Sequence, residues 1–300
     1  MEIIQLLSFY HIAKTGSFTE ASRHVFRTQS ALSHQIKNLE KELRVKLLQR
    51  LGRGLKLTQE GEILFNTIRT FLGDLEDLKK IYTDMSGGKV GSLTIASSSS
   101  VMRHVLPKVI KKFTKRFPGI KFKLISCRLT TEIPSLVSEG EAHIGIGLRP
   151  NRLLPGNLCF SLWKSFDTVL VSAKDHPLTK KRRIELSDIS RYPLITYRKG
   201  TTLRDHIENV FITSNLPCNI TIEGDVAEDI KSYVQMGIGL SIFSCLTLTP
   251  SDRKRLATFN ITKLFGKIDY GIYYKKDQHI STAMKHFIEV FSPELLDRIS

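Results

Sequence analysis

Between Thr28 and Lys41 the chain places hydroxyl, imidazole and ammonium groups at a spacing suited to gripping a polyanion. In RTQSALSHQIKNLEKEL, Ser30, the pair Ser33 and His34, Lys37 and Lys41 follow one another three or four residues apart, so on an α-helix they share one side. Leu32, Ile36, Leu39 and Leu43 form an apolar stripe that faces a core. The acids Glu40 and Glu42 project from the flanks, which leaves the polar face free of carboxylates. Thr28, Ser30, Ser33 and His34 are placed near the helix start to reach base edges or phosphates, and Gln29 suits the bidentate edge of an adenine. Lys37 and Lys41 suit phosphates.

A second concentration of hydroxyls lies further on. Ser97-Ser98-Ser99-Ser100 and Lys199-Gly200-Thr201-Thr202 each follow a strand-like run and precede a helical one. Each offers hydroxyls and free amides at a helix N-terminus, which carries roughly half a positive charge and suits a small anion. Facing each other across a cleft the two turns would hold one; taken separately they would only cap their own helices. Arg149, just after HIGIG, and Trp163 are placed to add charge and an aromatic wall. Catalytic or metal-binding groupings are missing. The histidines at 104, 143, 176, 206, 279 and 286 make no H-x-x-H or H-E-x-x-H group, and no G-x-S-x-G elbow or Walker sequence occurs. An enzyme, a cofactor and a metal are therefore not expected.

The DNA-facing groups need a scaffold, and the flanking sequence supplies one. Ile4, Leu7 and Ala13 stripe a first helix that stops at Lys14-Thr15-Gly16. Ser17-Phe18-Thr19-Glu20 fits a capping box opening a second helix, about Phe18 to Val25. Only Phe26 to Thr28 separate it from the third, which is the helix-turn-helix pattern, whose later helix enters the major groove. LLQRLGRGLKLT then reads as a hairpin wing, with Arg50 and Arg53 directed at the backbone or the adjacent minor groove. From Glu60 on, Leu64, Ile68, Phe71, Leu75, Leu78 and Tyr82 alternate spacings of four and three, a heptad seam that asks for a partner helix. Pairing would join two half-sites into one specific contact.

Beyond residue 90, β-branched runs alternate with amphipathic ones. SLTIA, a helix from about Val101 to Phe117, IKFKLIS, a helix near Glu132 to Glu139 and HIGIG form one series. DTVLVS, PLITY, a helix from about Leu203 to Thr213, NITIEG, a helix from about Ala227 to Met236 and GLSIF form another. Such alternation implies mostly parallel sheets covered on both faces. DYGIYYKK and the final helices return to complete the first.

Composition agrees with a polyanionic partner. The 300 residues carry 45 basic and 29 acidic side chains, a net +16, and residues 1–58 hold ten Lys/Arg against four Asp/Glu, a net +6. Cys127, Cys159, Cys218 and Cys245 form no C-x-x-C pair, so reduced, mostly buried thiols are expected. MEIIQLLSFYHIAKTG has no cationic n-region or small-residue cleavage site, so no export signal is read there. The longest uncharged run, Ser232 to Ser251, reads as a helix end, a turn and a buried strand. A soluble, cytoplasmic protein with no membrane partner follows as the expectation.

The run ASRHVFRTQSALSHQIKNLEKELRVKLLQRLGRGLKLTQEG resembles the winged helix-turn-helix of LysR-type transcriptional regulators. It departs from that pattern at Ser30, where proline usually opens the recognition helix, at Arg44, where glycine ends it, and at Leu48, where phenylalanine packs. YPLITYRKGTTLRD and DVAEDIKSYVQMGIGLSIF resemble the CysB-like branch, which controls sulfur assimilation and answers to sulfate or acetylated serine. The resemblance implies an α/β effector domain of two subdomains, similar to periplasmic binding proteins, after an all-α winged helix-turn-helix domain and a long linker helix. Residues 1–59 would bind DNA, 60–88 form the linker and hinge, and 89–300 take the effector. Subdomain I would span about 89–163 and 268–300, subdomain II about 164–267, with crossovers near Trp163 and Lys267. Linker helices of the family pair antiparallel, giving a homodimer or homotetramer, and RNA polymerase is a further implied partner.

Carried onto this chain, the branch's hydroxyl ligands are Ser98, Ser100 and Thr202 and its aromatic wall is Trp163, with Ser99, Thr201 and Arg149 beside them. Val101 stands where the branch has a glutamine ligand and Leu148 where it has threonine. The expected function is a sequence-specific regulator of transcription modulated by a small anion, sulfate or O-acetylserine-like. The alternative is an architectural DNA-binding protein that senses nothing; the basic run Lys180-Lys181-Arg182-Arg183 would serve it, although such runs are mostly exposed loops.

Overall fold

The computed structural model describes residues 1–51, 54–68, 91–129, 131–276 and 280–299. The chain divides into two compact units, Met1–Lys79 and Lys80–Ser300.

In the first unit, α1 (Ile3–Thr15) ends at Gly16 in the left-handed conformation, φ 66°. α2 (Phe18–His24) is capped by Ser17, whose Oγ accepts from the Glu20 amide at 3.3 Å. The return half of the expected box is replaced: the Ser17 amide donates to Thr15 Oγ1 at 3.3 Å. α3 (Gln29–Leu43) begins at Thr28 and ends at Arg44 in the left-handed region, φ 56°. The strands β1 (Leu48–Leu51) and β2 (Gly54–Leu57) pair antiparallel as the wing, and a helix α4 covers 59–68.

Phe9, Ile12, Ala21, Leu32, Ile36, Leu39 and Leu47 make the core of this unit. Leu43, expected at the end of the buried stripe, is the last residue of α3 and is exposed. Leu64 and Ile68, expected to open a dimer seam, turn into this same core, and Phe65 stacks on Tyr10. An apolar residue beside a hydrophobic core packs on what is nearest. Phe71, Leu75, Leu78 and Tyr82 lie outside the described residues.

The second unit opens with β3 (Gly91–Ser98), α5 (Ser99–His104) and α6 (Leu106–Arg116). One helix was expected over 101–117, but Pro107 has no amide to donate and starts a new helix after Val105. β4 (Ile120–Cys127), α7 (Glu132–Ser138), β5 (Ile144–Leu148) and β6 (Leu158–Phe166) follow. Then come β7 (Thr168–Ala173), α8 (Leu186–Ile189), β8 (Leu194–Tyr197), α9 (Thr202–Thr213), β9 (Ile220–Gly224) and α10 (Ala227–Gln235). β10 (Ser241–Ser244), α11 (Pro250–Arg255), β11 (Leu256–Asn260), α12 (Thr262–Phe265), β12 (Ile268–Lys275) and α13 (Thr282–Phe291) complete it.

The first subdomain is a five-stranded sheet ordered β4-β3-β5-β12-β6. β3 runs parallel to β4 and β5, whereas β12 is antiparallel to β5 and β6. Gly145 and Gly147 let α7 settle on β5, since a Cβ at either would come within 2.6 Å of Ile133. In the second subdomain β10-β7-β11 is antiparallel where mostly parallel sheets were expected, while β8 and β9 pair parallel and Leu194 of β8 meets Leu240, just before β10, in a parallel bridge. Crossovers fall between Phe166 and Thr168 and between Phe265 and Ile268. All four cysteines are free; Cys127 is buried and the other three half-buried. Among the described residues no helix is long and apolar enough to cross a membrane.

Candidate functional site

The polar side of α3 is the first candidate surface. Gln29, Ser30, His34, Lys37 and Lys41 are exposed and Ser33 is half-buried. Thr28 is shared between two tasks: its Oγ1 accepts from the Ala31 amide at 3.3 Å, capping the helix, and meets Ser30 Oγ at 3.0 Å. His34 Nδ1 lies 3.3 Å from the Asn38 side-chain amide.

The face carries no carboxylate because Glu40, expected on the flank, is drawn inward. It accepts from the Leu47 and Leu48 amides at 2.9 and 3.4 Å and from Lys46 Nζ at 2.8 Å. Lys37, Lys41, Arg44 and Lys46 rim one depression with Glu40 in it. Sequence reasoning missed Arg44 and Lys46 as part of that cationic rim. The backbone of Arg50 lies in β1, while its side chain and the whole of Arg53 lie outside the described residues.

The second candidate lies between the two subdomains. A cavity of about 60 Å³, partly open to solvent, is lined among others by Ser98, Ser99, Ser100, Thr201, Leu148 and Tyr197. Cys127, Arg128, Asp225, Glu228 and Tyr270 also line it. Ser98, Cys127, Leu148, Tyr197 and Asp225 all stand at or just past the carboxyl ends of strands, where open α/β sheets place their ligands.

The hydroxyls are not absorbed by helix capping. Neither the Ser98 nor the Thr201 side chain caps its helix, and Ser98 Oγ is buried without a hydrogen-bond partner. Thr201 Oγ1 donates to the Arg198 carbonyl at 3.1 Å and Ser99 Oγ lies 3.4 Å from Ser126 Oγ. Ser100 hydrogen-bonds the Tyr197 hydroxyl, whose pKa burial raises far above its ordinary value.

Two carboxylates face this hydroxyl cluster. Glu228 lies 3.3 Å from His104 Nε2, 3.4 Å from Arg103 Nε and 3.5 Å from Lys231 Nζ. The His104 ring beside it lowers its pKa to about 2, against burial and with help from Lys231 and Arg103. Asp225 pairs with Arg198 and Arg128. Burial pushes the Cys127 thiol up to about 11 and the Tyr270 hydroxyl to about 12.

Four residues expected here are elsewhere. Val101 is fully buried in the core, as its apolar side chain requires. Arg149 pairs with Asp269 at 2.9 Å and lies over the Phe160 ring, beyond the wall. Trp163 sits on the edge strand β6, packed on Phe166 and Phe291 at ring distances of 5.6 and 4.7 Å. Thr202 opens α9 without lining the space. Arg128, Tyr197, Asp225, Glu228 and Tyr270 were missed. Asking which residue follows every strand, and not only the hydroxyl-rich turns, would have found Arg128 and Asp225.

Residues 3–62 match the family model described as "Bacterial regulatory helix-turn-helix protein, lysR family", and residues 86–295 match "LysR substrate binding domain". The chain belongs to the LysR family of transcriptional regulators. It is therefore read as a DNA-binding regulator with an effector-binding domain. Its relatives include the regulators SsuR and CysB of Burkholderia cenocepacia, each 29% identical over 95% of this chain and 92% and 90% of theirs.

The solved cofactor-binding domain of the Cbl transcriptional regulator superposes with a TM-score of 0.65 at 30% identity, covering 70% of this chain and 91% of that one. CbnR, solved with its target DNA, shares the fold at 19% identity with a TM-score of 0.68, over 98% of this chain and 99% of its own.

Proposed function

We propose that this LysR-family regulator governs genes of sulfur or cysteine metabolism and answers to a small anion, sulfate or O-acetylserine-like, held in the cleft between its subdomains. The observation that carries the effector reading is the buried, unpartnered Ser98 hydroxyl beside Ser99, Ser100 and Thr201. A buried hydroxyl without a partner costs about 1–3 kcal/mol, which a ligand oxygen would recover. The relatives SsuR, CysB and Cbl support the metabolic assignment by similarity alone.

On the DNA side, Gln29, Ser30, Ser33 and His34 read bases or phosphates, and Lys37, Lys41, Arg50 and Arg53 neutralise the backbone, with Thr28 ordering the helix start. Residues 60–88 join copies of the chain through the seam of Phe71, Leu75 and Leu78. Anion occupancy favours one arrangement of the subdomains over another, and that difference is what a ligand has to act through.

The test is a titration of the full chain on its genomic target fragments with sulfate, thiosulfate and O-acetylserine. A shift in affinity or footprint with at least one of them, lost on Ser98→Ala together with Ser100→Ala, supports the reading. Footprints unaltered by all three refute it.

A further inference from the structure

We propose that Asp225 is a built-in counter-ion of the effector cavity, occupying the Arg128 guanidinium that an anionic effector takes over and thereby setting the affinity and selectivity of the site. The proposal rests on the anion reading above. Asp225 follows β9 in the second subdomain, with Oδ1 2.9 Å from Arg198 Nε. Its Oδ2 lies 3.8 Å from Nη1 of Arg128, which follows β4 in the first subdomain, so the carboxylate spans the cleft. Arg128 and Asp225 both line the cavity beside the Ser98 cluster.

An anion seated on those hydroxyls meets two carboxylates, and one has to yield. Glu228 is the less free to do so, since three groups, Arg103, His104 and Lys231, hold it and none of them lines the cavity. Asp225 is loosely held: the Arg128, Arg198 and Asp225 side chains are 68%, 39% and 35% exposed. Ion pairs this exposed contribute little, so this one exchanges readily. Both contacts are ionic: Arg198 Nε makes no hydrogen bond and Arg128 stands 3.8 Å away, so a tetrahedral oxyanion on Arg128 gains donors that Asp225 leaves unused while Asp225 turns to water. Exchange also removes the Arg128–Asp225 bridge, which makes the bound and free clefts differ in how the subdomains are joined.

The experiment is calorimetric titration of the full chain with sodium sulfate at constant ionic strength, comparing wild type, Asp225→Asn, Asp225→Ser and Arg128→Gln. Removing a competing negative charge a few ångströms from the ligand should tighten sulfate binding roughly threefold to tenfold in both Asp225 variants. Arg128→Gln should weaken it by a similar factor. Thermal melts confirm that each variant is folded, and the serine replacement at 225 stands in should the amide fail. Wild-type binding that Ser98→Ala weakens but both Asp225 variants leave unchanged or reduce overturns the counter-ion role alone. If no form binds sulfate, thiosulfate or O-acetylserine, the anion reading falls and this role falls with it.

Discussion

Glu40 is buried at the base of the recognition face and accepts hydrogen bonds from Lys46 and from the Leu47 and Leu48 amides. Burial pushes its pKa up, but those bonds outweigh it and hold the carboxyl below its ordinary range. A carboxyl lowered on folding adds stability above its unfolded pKa of about 4.3, and loses it as pH falls through the lower folded value. Glu40→Gln should cost about 1.5–3 kcal/mol at pH 7 and flatten the acid dependence below pH 5, read from hydrogen exchange at the Leu47 and Leu48 amides. The spacing of Ser30 to Lys41 was enough to place the polar face. It was not enough for Glu40, because the amides that capture it lie seven and eight residues on, across a turn whose geometry helical periodicity does not contain. Cys127 is the other informative residue. With its thiol pushed up to about 11 it stays protonated near neutrality and makes a poor nucleophile. Alkylation at pH 7.5 followed by peptide mass spectrometry should leave Cys127 unmodified until the chain is denatured.

At the scale of elements, α3 is bounded by two residues in left-handed backbone that are not glycine: Phe26 at φ 52° and Arg44 at φ 56°. Such a conformation costs a residue with a Cβ roughly 1–2 kcal/mol. Arg44→Gly and Phe26→Asn should each raise the stability of the first unit by about 1 kcal/mol, seen as a higher urea midpoint. Phe26 is 93% exposed, so its replacement removes no packing. Arg44 was legible as a strained cap because glycine usually stands there; Phe26 was not, since a three-residue turn can be closed in several ways. The α/β series read correctly for nearly every strand. It failed for the direction of β7 against β10, because GLSIF follows a helix whichever way β7 runs beside it, and it missed the edge strand β6 and the short β11, whose LATFN follows the basic turn of α11. The carboxyl ends of strands were recognised as the ligand position, yet Trp163 and Arg149 were placed there on residue type, and their partners Phe291 and Asp269 are set by the sheet order.

For the molecule as a whole, +16 of net charge and a cationic α3 face suit a DNA-binding regulator, the polyanionic backbone being the natural partner of such charge. The cleft is closed by contacts from both subdomains: Arg128 to Asp225, Arg103 and His104 to Glu228, Asn151 to Asp205 at 2.9 Å, and Ser100 to Tyr197. A ligand changes regulation only by favouring one arrangement of these contacts over another. On the DNA side the two kinds of residue should separate cleanly. Lys37→Gln and Lys41→Gln should each weaken binding to all sequences and reduce the salt slope by about one. The measurement closest to the central claim is genome-wide footprinting of wild type against the double variant Ser33→Ala with His34→Ala, both shown folded by circular dichroism. The account predicts discrete footprints for the wild type and their loss in the variant, with residual salt-sensitive binding to any duplex. Footprints that persist unchanged in the folded variant would contradict it.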